Sequence, residues 1–261
     1  GAGTALSSLT TDALGSVAMN AGTVTTSGAQ TYNDAMSLSR HTTLTSLAGT
    51  LHFVSIADGA SPLNLNLNTA TALALADVDV GGNLHVTTQD AGVTQQAGTH
   101  VWVGGTSIFT ADTGTNQDAA LSSTDNRWNG LLTLNEANSG SWRDVSLKTT
   151  APLTLAPLQS SGSVSLSTQG AVLTTNTIST SGSLSVDTRD GSGVGGAVSL
   201  GDATITGNMT VQSGDGSVTQ TGQLVVTGNT SVMAGTGTIT LLNEQHVGIE
   251  YLQIGRASCR E

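Results

Sequence analysis

Two stretches of this chain repeat one another. GNLHVTTQDAGVTQ begins at Gly82 and GNMTVQSGDGSVTQ at Gly207, and the match resumes with GGTSI at Gly104 and GNTSV at Gly228. Repetition on this scale marks an architecture of stacked units, each of which buries its apolar face only against the next. Shorter echoes run inside the block: SGSVSL from Ser161, SGSLSV from Ser181, then GNMTV from Gly207. Each is a pair of turn residues followed by an apolar-polar-apolar triplet. LNLNLN, from Leu63 to Asn68, and Ala72-Leu73-Ala74-Leu75 alternate without a fault, the period of a strand with one buried and one solvated face.

Short strands returning about every 20–25 residues, with Gly, Asn and Ser at the corners, predict an all-β chain wound as a right-handed parallel β-helix, or β-solenoid. At about 21 residues per coil and about 4.8 Å between coils, the chain makes about twelve coils. Asn83, Asn208 and Asn229 fall at corners and are expected to form side-chain ladders. An antiparallel sandwich also uses many short strands, but it asks for two-residue hairpin turns. Asn-Gly occurs once, at Asn129-Gly130.

Composition narrows the function. Charged residues make up 10% and aromatics 3% of the 261 residues, and the net charge is −11. Nucleic-acid binding needs clustered Lys and Arg, and this chain has no basic run, so nucleic acid is not an expected partner. A membrane-spanning helix needs about 18 or more apolar residues in succession, which no stretch supplies. Membrane insertion is not expected.

Three stretches carry a family resemblance. They are SLTTDALGSVAMNAGTVTTSGAQTYNDAMSL (Ser8 to Leu38), NRWNGLLTLNEANSGSWRDVSL (Asn126 to Leu147) and GAVSLGDATITGNMTVQSGDGSVTQTGQLVVTGNTSVMAGTGTITL (Gly196 to Leu241). They resemble the repeat region of filamentous-haemagglutinin-type adhesins, the exoproteins of two-partner secretion. The resemblance implies an uncapped shaft segment of a secreted or surface-exposed bacterial adhesin. It also implies an outer-membrane two-partner-secretion transporter as partner, and a host or bacterial surface glycan or protein as the target of adhesion. The family's secretion domain is not recognisable in the chain. The scarcity of cysteine suits export unfolded through the periplasm, where a disulfide would obstruct passage.

The last eight residues, IGRASCRE, depart from the repeat text and hold the single cysteine, Cys259. One permitted codon choice turns them into a sequencing-adapter sequence. The expected organisation is therefore a solenoid over 1–253 and an adapter-derived tail over 254–261, so Cys259 is not read as a nucleophile.

Little in the solenoid text points to catalysis. Asp77 and Asp79 lie two apart on one strand, close enough to bind Ca²⁺ or act as an acid–base pair. The alternative is that both face solvent while Val78 and Val80 face the core. Asp187, Arg189 and Asp190 form the densest charged cluster and read as turn residues. The five histidines, His41, His52, His85, His100 and His246, show no metal-ligand spacing. No enzyme, cofactor or metal is expected. Trp102, Trp128 and Trp142 are the candidates for stacking on sugar rings, which leaves a carbohydrate-binding or polysaccharide-degrading β-helix protein as the alternative function. Thr-rich strands such as Thr23-Val24-Thr25 suggest a regular hydroxyl face, but Thr-x-Thr does not recur at one fixed period.

Overall fold

The computed structural model describes residues 5–59 and 61–241, together with the backbone of the strands Glu244–His246 and Leu252–Gly255. Its secondary structure is strand throughout, and every strand ladder is parallel. The fold is the expected parallel β-solenoid. Face I holds 11 strands, from Thr23–Thr26 to Ile239–Thr240, and so counts about eleven coils rather than twelve. The coils are uneven: 19 residues separate Leu65 from its ladder partner Leu84, and 25 separate Ser107 from Leu132.

Alternation writes the cross-section. In Leu65–Thr69, Leu65 and Leu67 are fully buried while Asn66 and Asn68 reach the surface. The register places Leu44, Leu67 and Val86 above one another in the lumen. Each such side chain contributes about 1.5–3 kcal/mol when fully buried. Stacking also converts each unit's exposed strand edges into ladder hydrogen bonds.

Corners are knitted from coil to coil. The expected asparagine ladders are present in a different form, running from side chain to backbone. Asn64 Oδ1 accepts the Asn83 N–H, Asn83 Oδ1 accepts the Thr106 N–H, and Asn208 Oδ1 accepts the Asn229 N–H, each at 2.9 Å. A corner N–H lies outside the strand ladder and needs an acceptor, and any short polar side chain one coil below supplies it. Asp144, Ser163 and Ser183 do the same for Ser163, Ser183 and Asn208. Glycine recurs beside these positions because consecutive backbones touch there. Gly182 donates to Gly162 O at 2.8 Å, and Gly207 to Gly182 O at 2.9 Å.

Between Leu132 and Ser160 the winding changes. From Leu65 to Glu136 the chain visits face I, then face II (nine strands, from Leu73–Leu75 to Leu252–Gly255), then face III, which ends at Arg127–Trp128. After this seam face III is gone, and face IV, which starts at Leu158–Ser160, lies between faces I and II. Face I crosses the seam through one ladder pair, Leu132↔Leu155. The long strand Trp142–Lys148 joins Gln117–Leu121 below it, across a register shift, to Val164–Ser167 above it. As a result the two copies of the duplicated block occupy different faces. Leu84–Thr88 lies on face I and its counterpart Met209–Gln212 on face II.

Candidate functional site

The structure separates the three tryptophans. Trp128 is 2% and Trp142 1% exposed, so neither presents a ring face to a glycan; both are lumen fillers, Trp128 just before the seam and Trp142 within it. Large rings suit that place, where two differently shaped cross-sections meet and need filling to native density. Trp142 is anchored twice: its backbone N–H donates to Glu136 Oε1 at 2.9 Å and its indole N–H to Asn135 O at 3.0 Å.

Trp102 is half-buried on the outside of face III. Its indole N–H donates to Asp125 O at 2.5 Å, the Arg127 guanidinium sits 5.0 Å from the ring centroid, and the His100 ring is 4.2 Å away. These neighbours pack against the ring, and the cation–π contact itself contributes about 0.5–1 kcal/mol.

Asp77 and Asp79 point outward, alternating with the buried Val78 and Val80. The Asp77 carboxylate accepts the His100 N–H at 2.9 Å and lies 3.0 Å from His100 Nδ1, so it holds the next coil. Asp79 stands one coil below Trp102 in the same outer row. The Asp187 cluster is also internally committed. Asp187 pairs with Arg189 at 2.9 Å, and the Arg189 hydrogen bond holds its carboxyl below the ordinary range despite partial burial. Asp190 Oδ1 accepts from the Ser192 N–H and hydroxyl and from the Val194 N–H, closing the corner on itself. Among the described residues no three His, Cys, Asp or Glu side chains converge as a metal-binding group. His41 Nδ1 accepts the Asn64 N–H, and burial lowers the pKa of His85, whose Nε2 lies 3.3 Å from Thr110 Oγ1. Cys259 lies outside the described residues, and the strand Leu252–Gly255 runs through position 254.

The face I outer rows are regular in space despite the irregular period. Thr43, Asn66, His85, Ile108 and Thr133 form one row, because corners absorb the differences in coil length. Asn, His and Ile interrupt the hydroxyl array.

Buried amides are the polar side chains that sequence reading passes over. Asn126 is fully buried; its Oδ1 accepts the Val101 N–H and Gln95 Nε2, both at 2.8 Å, and its Nδ2 donates to Gln95 Oε1 and Lys148 O. It therefore ties three successive coils. Gln117 and Gln30 play similar parts at other corners.

Shallow clefts mark the outer wall among the described residues. One, of about 440 Å³, lies between the Gln96 and Ser123 corners, and another, of about 460 Å³, lies beside Lys148 and Arg189. A third, of about 390 Å³, lies at the seam, floored by Leu134 and Leu158 and rimmed by Asn135, Glu136, Gln159 and Thr177.

These features define a parallel β-helix repeat protein. Repeats of unknown function, the DUF5649 family, match residues 63–135 and 192–247. The matched segments contain the two copies of the duplicated block and leave 136–191, with most of the seam, unmatched. No curated protein and no solved structure shows significant similarity to the chain.

Proposed function

We propose that the chain is a rigid spacer in the shaft of a secreted or surface-exposed bacterial adhesin of the filamentous-haemagglutinin type, exported by an outer-membrane two-partner-secretion transporter. The observation that carries this reading is where the polar side chains are spent. Asp58, Asp77, Asp118, Asp144, Asp202 and Asp215 each accept a backbone N–H from the following coil. A chain that commits its carboxylates to joining coils is organised for axial stiffness rather than catalysis. The polar, weakly charged wall suits a rod that remains soluble outside the cell.

Antibodies raised to the folded chain test this in the source bacterium. The expected result is labelling of intact cells that disappears when the cognate transporter gene is deleted, with reduced adhesion when the repeat region is removed. Labelling seen only after lysis, with adhesion unchanged, refutes it.

A further inference from the structure

We propose that Asn129 is a site of spontaneous covalent modification, deamidation through a succinimide, independent of the role of the rod as a spacer. Its corner departs from the two below it. Those corners are Gly81-Gly82 and Gly104-Gly105, and the ladders carry the same two positions up to Asn129-Gly130. The backbone repeats accordingly: Gly104 donates to Val80 O at 2.9 Å and Asn129 to Val103 O at 3.0 Å. At the next residue the repeat fails. Gly105 donates to Gly82 O at 2.8 Å, but among the described residues the Gly130 N–H has no hydrogen-bond partner. The Asn129 side chain is exposed and equally uncommitted, whereas Asn64, Asn83 and Asn208 spend their Oδ1 atoms on the next coil.

This pairing sets a nucleophile beside an electrophile. The Gly130 nitrogen bonds to Asn129 Cγ, the Cγ–Nδ2 bond breaks, and ammonia leaves with the proton given up by the Gly130 N–H. Water then opens the succinimide. Cleavage at Cγ gives aspartate; cleavage at the main-chain carbonyl gives isoaspartate, whose backbone runs on through Cγ and is one carbon longer. Water is consumed, ammonia is released, and no oxidant or reductant takes part. Glycine favours the closure because no Cβ crowds its nitrogen and its backbone turns most freely. A nitrogen without an acceptor also has no bond to break first.

The fold accommodates the product. Trp128 is paired with Val103 and Leu132 with Ser107 on either side, and corners are where this rod absorbs changes of length. The reaction therefore writes a carboxylate into the outer wall of an intact rod, to an extent that grows with the age of the molecule. Asn138-Ser139 is exposed too, but its Nδ2 donates to Asp112 Oδ1, and Ser139 carries a Cβ.

Incubation of the folded full chain at mildly alkaline pH, followed by peptide mapping in a mass spectrometer, tests the proposal. Isoaspartate is counted by labelling with a protein isoaspartyl methyltransferase. Acid should accumulate at Asn129 about tenfold faster than at Asn138 or more, a barrier difference of about 1.4 kcal/mol, with isoaspartate among the products. Asn129→Gln, whose longer side chain misplaces the carbonyl for ring closure, should abolish the acidic form seen on anion exchange, with melting unchanged. Four results overturn the proposal: Asn129 keeps its amide in the folded chain, Asn138 converts as fast, aspartate forms without isoaspartate, or the acidic form persists in Asn129→Gln.

Discussion

Replacing Gly182 by alanine should destabilise the solenoid, although it is a small change at a surface corner. The added Cβ would lie 2.3 Å from Gly162 O, 2.5 Å from Gly162 C and 2.6 Å from Ser163 Oγ. An ordinary carbon–oxygen contact is about 3.3 Å, so the two backbones must part by roughly 1 Å. That movement strains the Gly182 N–H bond to Gly162 O and the Ser181 N–H bond to Ser160 O. Overpacking of this type costs about 1–3 kcal/mol, and a weakened hydrogen bond adds about 0.5–1.5 kcal/mol. Alanine returns about 0.4–1 kcal/mol by restricting the unfolded chain. A net loss of about 1–3 kcal/mol is expected from these opposing terms.

Gly191 supplies the control, since a Cβ there meets nothing within 4 Å, and Gly191→Ala should be neutral or slightly stabilising. Urea unfolding followed by the fluorescence of the buried Trp128 and Trp142, in the coils before this region, compares the two variants. If both unfold within about 0.5 kcal/mol of each other, the range of ordinary surface substitutions, the reasoning from backbone contact fails.

Asn126→Leu leaves the Val101 N–H and the Gln95 amide without their partner, at about 1–3 kcal/mol for each buried group stranded. Urea melts should show a loss of about 3 kcal/mol or more, against little change for Asn129→Leu at an exposed corner. Stability should also fall at both ends of the pH range, read by melting temperature. Burial pushes the Tyr32 phenol up to about 12 from 10.0, so the unfolded chain loses this proton first. Stability therefore declines as pH rises through 10.0 toward 12, and Tyr32→Phe should remove that slope. Burial raises the Asp118 carboxyl, but the hydrogen bonds from Arg143 and the Asp144 N–H outweigh it and leave the pKa below 3.8. Its contribution is present above 3.8 and is lost as pH falls below it, a dependence that Asp118→Asn should reduce.

The fold was legible wherever side-chain alternation controls it. LNLNLN and SGSVSL contain enough to assign strand, face and corner, because a parallel ladder asks only that like positions stack. The seam is legible only as irregular spacing in NGLLTLNEANSGS. Which face a strand occupies depends on how many residues each corner consumes, and that is settled by stacking on the neighbouring coil. Hence the duplicated block, plain as text, gives no warning that its copies lie on different faces. The tryptophans show the same limit. As text Trp128 is as good a candidate for stacking on a sugar as Trp102, and only the surrounding coils bury it. Asn126 looks like any corner asparagine until the coils above and below surround it.

The corner at 189–195 has a consequence for how such rods change. Leu153 to Leu173 spans 20 residues and Leu173 to Val198 spans 25, yet both pairs sit in the same ladder. The longer coil leaves the wall after Thr188, turns back through the Arg189↔Gly195 bridge and the Asp190 N–H bond to Val194 O at 2.7 Å, and rejoins in register. Insertions and deletions here alter the silhouette of the rod and leave its axis untouched, whereas a single residue gained inside a strand inverts the side chains after it as far as the next corner. Decoration and scaffold can therefore diverge at separate rates. The 189–195 corner is the natural graft point for a foreign epitope displayed at fixed height along the shaft.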